Sequence, residues 1–217
     1  MGSCSDGSCS VGSCDDKERL PPSMLQRYDL DQETGLGTLI WAENDGNMID
    51  CSVLEMIGMI REDSDDRIFA MITGDVSIKP LYEMLFSYGV DTVYHIRNDD
   101  MIGFDADKYA QAFIDLADRI DPAAMVIAGT DRGRRLADAI SKDRRKEILT
   151  YCTSIRMEKN TLAVTRNIPN RDFKETDIHL RFPILATYAP GTHSPPEKED
   201  GRKGTAIGRP FRPSFHQ

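Results

Sequence analysis

The chain has 217 residues, of which 40% are hydrophobic and 29% are charged, enough apolar material for one domain of about 100–200 residues with additional segments. Its formal net charge of −9 opposes the phosphate contacts on which nucleic-acid affinity depends, so we expect no nucleic-acid partner. No apolar run approaches the roughly 18–20 residues of a membrane span, and the first residues do not have the pattern of a signal peptide. We therefore expect a cytoplasmic protein without membrane insertion.

The first segment of the chain, residues 1–36, is rich in cysteine, glycine and serine, which predicts a flexible leader. Cys4, Cys9 and Cys14 recur at a spacing that matches neither C-x2-C zinc sites nor the common iron–sulfur motifs. Two interpretations stay open, a low-complexity segment or a metal or iron–sulfur cluster completed by a ligand from a partner chain. Two further cysteines, which stand among apolar residues, are predicted to be small buried side chains: Cys51 and Cys152.

From residue 37 onwards, continuous apolar runs alternate with segments of helical periodicity. The runs predict four buried strands, at residues 38–42, 67–74, 92–96 and 123–129. A helical segment follows each of them; Asp105 is placed to cap the third helix, and Asp121, which precedes a proline, ends it. Four successive strand–helix units with short links predict an α/β fold, in which a parallel sheet has helices on both faces.

The end of the chain has a different character. Three apolar segments, at residues 154–157, 161–165 and 182–188, predict strands of a small β element near the C-terminus. Residues 192–217 contain prolines and arginines but no core-forming pattern, which predicts an extended tail. The expected organisation is thus a leader (1–36), one domain (37–191) and a tail (192–217).

The loop after the fourth predicted strand is the strongest candidate for a binding site, because ligands of parallel sheets usually bind beyond the carboxyl ends of the strands. Gly129, Thr130, Gly133 and Arg134 lie there, in a turn that opens a helix and offers N–H groups and a positive dipole end to an anion. The turn has neither the P-loop nor the dinucleotide-binding pattern, so a tight turn with surface arginines stays an open interpretation. His95 ends the third strand at the same edge and is interpreted as incidental, and no residue cluster predicts a catalytic centre.

One block of the sequence is distinctive, Asp121-Pro-Ala-Ala-Met-Val-Ile-Ala-Gly-Thr-Asp-Arg-Gly-Arg-Arg-Leu-Ala137. Further segments accompany it in a fixed order: residues 39–48, 88–94, 98–101, 109–112, 151–155, 164–166 and 185–191. Together they resemble the N-terminal domain of the electron-transfer flavoprotein α subunit, whose corresponding block reads P-x-x-V-L-x-G-x-T-x-x-G-R-x-L-A. The resemblance extends from about residue 37 to residue 191.

The resemblance implies the α/β fold shared by adenine-nucleotide α-hydrolase-like domains and electron-transfer flavoprotein N-terminal domains. It also implies that the Gly129–Thr130 turn is a vestige of a nucleotide site. Full-length α subunits continue into an FAD-binding domain that is absent from this sequence, and residues 168–174 replace the family's Gly-Gly-Asn turn. No flavin-contacting residue of the family is therefore transferred to a position here.

We accordingly expect a truncated α-like, non-catalytic subunit of an oxidoreductase complex. Its expected partners are an electron-transfer flavoprotein β-like subunit and a flavin dehydrogenase, with FAD or AMP bound by the partner subunits. Two other functions stay open. One is a stand-alone adenine-nucleotide-binding module, similar to universal stress proteins; the other is an iron–sulfur electron carrier that uses Cys4, Cys9 and Cys14.

Overall fold

The computed structural model describes residues 37–97, 103–158, 161–167, 174–179 and 183–210. Its strands are β1 (Thr38–Trp41), β2 (Ile68–Thr73), β3 (Thr92–Arg97), β4 (Ala124–Ala128), β5 (Ile148–Glu158), β6 (Thr161–Asn167), β7 (Lys174–His179), β8 (Ile184–Tyr188) and β9 (Thr205–Pro210). Its helices are α1 (Cys51–Asp63), α2 (Pro80–Ser87), α3 (Ala106–Ile120) and α4 (Asp131–Arg144), with a short 3₁₀ turn at Val76–Ile78.

The strands form one sheet in the order β7–β6–β5–β8–β4–β1–β2–β3–β9. All neighbours from β5 to β9 are parallel, and β6 and β7 continue the sheet as antiparallel strands beside β5. Successive side chains of a strand point to opposite faces. Accordingly, Ile40 packs in the core that holds α1 and α2, whereas Leu39 packs in the core that holds α3 and α4. The predicted parallel sheet with helices on both faces is confirmed.

Local signals mark the ends of α3 as the sequence predicts. The side chain of Asp105 accepts hydrogen bonds from the main-chain N–H groups of Asp107 (3.1 Å) and Lys108 (3.2 Å) and so caps the first turn. Asp121 ends the helix in the left-handed region, with φ 53°, directly before Pro122. The following chain therefore turns sharply into β4.

The C-terminal strands do not form an element apart from the main sheet. The fully buried β8 lies between β4 and β5, in the middle of the sheet. The tail also contributes: residues 205–210 are extended, as predicted, but they pair with β3 as the edge strand β9. The sequence does not predict this strand, because most of its side chains are exposed and it has no apolar run.

Residues 192–204, here called the strap, connect β8 to β9 and pass over α1. A Cβ at Gly58 would lie 2.1 Å from the main-chain oxygen of Ser194, so only glycine allows this approach. Near its end, Arg202 donates a 2.7 Å hydrogen bond to Asp91, whose other carboxylate oxygen accepts one from Arg61, also at 2.7 Å. The strap is thus anchored to the body of the domain by main-chain packing and by one shared carboxylate.

The two cysteines in the described part of the chain differ from each other. Cys152 is buried, as predicted, and burial raises the pKa of its thiol to about 12. The prediction for Cys51 is wrong, because this residue is exposed. It is the first residue of α1, directly after the capping residue Asp50, and its apolar neighbours belong to the buried side of the helix.

Candidate functional site at the carboxyl edge of the sheet

The chain moves from β1 to β2 and β3 on one side and later places β4 on the other side of β1. The crevice between the carboxyl ends of β1 and β4 is therefore the topological switch point, where open α/β sheets usually bind their ligands. Two loop residues meet there. The hydroxyl group of Thr130, after β4, donates a 2.6 Å hydrogen bond to Oε2 of Glu43, after β1.

Thr130 has a second role, as the capping residue of α4. Its Oγ1 accepts a 2.9 Å hydrogen bond from the main-chain N–H of Gly133. Only glycine fits at position 133, because a Cβ there would lie only 1.9 Å from the main-chain oxygen of Ala128. At Gly129 a Cβ would lie 2.6 Å from the main-chain oxygen of Tyr188. Both glycines thus allow α4 and β8 to pack closely against the end of β4, as the tight-turn interpretation expects.

Glu43 is a carboxyl group held almost out of solvent, with 8% of the residue exposed. Burial raises its pKa, and Asp50 and Asp131 act in the same direction, whereas the hydrogen bond from Thr130 and the charge of Arg132 lower the pKa. The guanidinium of Arg132 lies 3.9 Å from Oε1, which is an ion pair without a close hydrogen bond. The site therefore contains a carboxylate beside the turn for which the sequence predicts an anion site.

The arginines of this turn already have contacts within the chain. Arg134 donates a 2.8 Å hydrogen bond to the main-chain oxygen of Gly129 and forms an ion pair with Asp131. The guanidinium carbons of Arg132 and Arg135 lie 6.0 Å and 5.3 Å from the centre of the Phe104 ring. That Gly129, Thr130, Gly133 and Arg134 form a vestigial nucleotide or anion turn stays a prediction.

Three aromatic rings pack together at the same edge of the sheet. The ring of Phe104 stacks on Trp41 with 5.6 Å between the ring centres, and Tyr109 meets both rings edge to face. Nε1 of Trp41 is buried and has no hydrogen-bond partner among the described residues. The arginines at the start of α4 are thus held over an aromatic cluster at the end of β1.

Polar contacts also organise the neighbouring loops. Nδ2 of Asn44 donates to the main-chain oxygen of Thr73 at 3.2 Å, which joins the loop after β1 to the end of β2. The buried His95 contacts the main-chain oxygen of Gly74 through Nε2 at 2.8 Å and the hydroxyl group of Tyr82 through Nδ1. A carbonyl only accepts, so Nε2 carries the proton, and burial lowers the pKa of the ring. These contacts give His95 a structural role.

No local motif in the sequence marks Glu43 and Asn44 as site residues. The available signal was their position, directly after a buried strand at the edge where ligands bind. Their contacts with Thr130 and Thr73 depend on the folded sheet and are not visible in a local pattern.

The predicted metal site falls on Cys4, Cys9 and Cys14, which lie outside the described residues. Within the described ranges, no group of three histidine, cysteine, aspartate or glutamate side chains is arranged to hold a metal ion. None of the helices in those ranges has the length and apolar character needed to cross a membrane.

Comparisons with known proteins agree with this fold. The sequence profile of the family described as "Electron transfer flavoprotein domain" matches residues 38–210. The electron transfer flavoprotein subunit alpha of Thermoanaerobacterium thermosaccharolyticum is 25% identical over 173 residues, 77% of this chain and 52% of that protein. The LctC subunit of the lactate dehydrogenase (NAD(+),ferredoxin) of Acetobacterium woodii is 24% identical over 139 residues, 63% of this chain and 33% of that protein.

Protein FixB of Azorhizobium caulinodans is 26% identical over 128 residues, 58% of this chain and 35% of that protein. The chain thus spans between a third and about half of the length of these curated relatives. The family match covers β1 to β9 and includes the switch point with Glu43 and Thr130. The chain therefore belongs to the electron transfer flavoprotein domain family, as an α-subunit-like member.

Proposed function

We propose that this chain is a structural or accessory subunit of a flavoprotein electron-transfer complex. In this proposal it pairs with an electron-transfer flavoprotein β-like subunit and with a flavin dehydrogenase, and these partners bind the FAD or AMP. The observation that carries the proposal is the family match over residues 38–210, together with relatives whose names describe subunits of larger assemblies.

The chemistry of the switch point favours this role over that of a stand-alone nucleotide-binding module. The hydroxyl group of Thr130, a donor that a phosphate would use, already donates to Glu43. An ionised Glu43 would repel a phosphate, and Arg134 is already bound to Gly129 and Asp131. The glycines of the turn are explained by close packing and need no ligand.

A surface feature supports the presence of a partner. Met48 and Tyr151 are large apolar side chains with 62% and 44% of their area exposed. Tyr151 also has φ 58°, a backbone conformation that is unusual for an aromatic residue, and it lies at an irregularity in β5. Tyrosine is a frequent anchor of protein interfaces. We therefore place Tyr151 in the contact with the partner.

The experiment is purification of the tagged chain from its source cells at native level, with identification of the bound proteins and of any flavin. We expect a protein recognisable as an electron-transfer flavoprotein β subunit, together with stoichiometric flavin. A chain that remains monomeric at micromolar concentration and brings down no flavin-bearing partner contradicts the proposal.

A variant makes the test specific to Tyr151. Asparagine tolerates the left-handed conformation, so Tyr151→Asn should leave the fold intact while it weakens partner binding by about tenfold or more. Arg67→Gln, at an exposed site before β2, is the matched control and should bind the partner normally.

Two separate measurements test the other functions. Calorimetry of the isolated chain with AMP and ATP should show no binding, and clear binding would favour the nucleotide module. Iron and sulfide analysis of the wild-type chain and of Cys9→Ser tests the cluster prediction, which requires both elements in the former and their loss in the latter.

A further inference from the structure

A cavity of about 270 Å³ lies away from the switch point, beside the carboxyl ends of β3 and β9 and against α3. In the strand order of the sheet, β2 lies between β1 and β3, the strand that lines the cavity. Its volume is slightly below the 300–1,000 Å³ that is common for binding sites of drug-sized ligands, so it fits a small molecule.

The cavity wall is partly apolar. Ile96, Ala112 and Leu116 line it, and 5%, 4% and 3% of their areas are exposed. These side chains belong to the core that α3 shares with the sheet. They offer a rigid, water-poor surface for the apolar part of a ligand.

The rest of the lining includes charged residues, with more positive than negative charge. Arg119 and Arg209 line the cavity together with a single acidic residue, Asp115, which has an interaction of its own in the chain. Arg119 is in the last turn of α3, and its side chain is exposed at the rim. Two guanidinium groups and one carboxylate give the lining one excess positive charge, which suits a monoanion better than a dianionic phosphate.

Arg209 has a hydrogen-bond donor without an acceptor. Its Nε is buried and has no hydrogen-bond partner among the described residues. The guanidinium is positioned over the ring of Tyr94, 5.8 Å from its centre, so it is held in place and not free in solvent. A buried N–H group without an acceptor is costly, and a carboxylate oxygen is the strongest common acceptor for a guanidinium.

We propose that this cavity binds a small organic monocarboxylate. The carboxylate accepts hydrogen bonds from Nε of Arg209 and interacts with Arg119, and the apolar body packs on Ile96, Ala112 and Leu116. This inference does not depend on the proposed subunit function, because it concerns residues outside the switch point and does not require a partner protein.

Benzoate is a suitable probe, because it has one carboxylate and a compact apolar body; benzamide has the same shape without the charge. Binding to the full chain is measured by calorimetry, and the position is checked by NMR shifts of the methyl groups of Ile96. We expect benzoate to bind, benzamide to bind at least about tenfold more weakly, and the Ile96 signals to move.

Three variants complete the test. Arg209→Gln should weaken benzoate binding by about tenfold or more, whereas Arg67→Gln, which removes the same charge elsewhere, should leave it unchanged. Ala112→Leu fills the cavity without a change of charge and should also reduce benzoate binding. It therefore tests the cavity as the binding site even if Arg209→Gln does not fold. The proposal is overturned if benzoate fails to bind the wild-type chain at roughly 10 mM, if benzamide binds equally well, or if a folded Arg209→Gln or Ala112→Leu binds as the wild type does.

Discussion

Replacement of Gly133 by alanine sets two physical effects against each other at the start of α4. The new Cβ would lie 1.9 Å from the main-chain oxygen of Ala128, whereas real Cβ atoms essentially never come closer than 3.0 Å. Helix and strand must therefore separate by about 1 Å, which also strains the 2.9 Å hydrogen bond between the N–H of residue 133 and Thr130. Alanine, on the other hand, is the better helix former.

Three contributions determine how Gly133→Ala changes the free energy of unfolding. Overpacking costs about 1–3 kcal/mol. Loss of the Thr130 cap costs about 1 kcal/mol. The gain in helix propensity is about 1 kcal/mol. We therefore expect Gly133→Ala to lower the free energy of unfolding by about 1–3 kcal/mol, although propensity alone predicts an increase.

Urea unfolding measures this difference, with the fluorescence of Trp41 as the signal. Trp41 is the single tryptophan of the chain and is buried at the end of β1, next to the altered turn. Asp138→Ala, on the exposed side of the same helix, is the control and should be neutral or slightly stabilising, because it changes propensity without a clash. If Gly133→Ala unfolds at the same or a higher urea concentration than the wild type, the steric argument is wrong.

Three further substitutions test other contacts. Folding raises the pKa of Glu43, so the stability of the wild type falls as the pH rises from the ordinary pKa of 4.5 through the pKa of the folded state. Glu43→Gln keeps an acceptor for Thr130 but does not titrate, so across a pH series its melting temperature should lack this fall. Burial lowers the pKa of His95, so the contribution of the neutral ring to stability is present above the ordinary pKa of 6.5 and is lost as the pH falls through the pKa of the folded state. In thermal melts, His95→Gln should be less stable than the wild type at neutral pH, but its melting temperature should fall less on acidification. Gly58→Ala places a Cβ 2.1 Å from the oxygen of Ser194, and limited proteolysis should cut the strap faster while Trp41 emission stays unchanged, whereas an unaltered cutting rate would contradict the close approach.

Sequence could predict the four strand–helix units because their signals are local. The run that contains Leu39 is apolar on both faces, which is typical of a buried parallel strand, and Asp105 has the side chain and position of a helix cap. These properties depend on a few neighbouring residues, so no knowledge of the remaining chain is needed to interpret them.

Other features arise only when distant segments meet. The contact between Glu43 and Thr130 joins residues 87 positions apart, and nothing in either neighbourhood specifies it. The same holds for β9, which pairs with β3 through its main chain while most of its side chains are exposed; Arg202, just before it, also forms an ion pair with Asp91. For Cys51 the apolar neighbours suggested burial, but the outcome depends on which side of α1 faces the sheet.

The central position of β8 has a consequence for synthesis of the protein. During translation, β4 and β5 leave the ribosome well before residues 184–188, so the outer edge of β4 has no partner at that time. Unpaired edges of apolar strands are templates for aggregation, and long-range strand pairing is slow. A nascent chain of this protein therefore has to protect the edge of β4, alone or with a chaperone, until the strand that completes the sheet has been made.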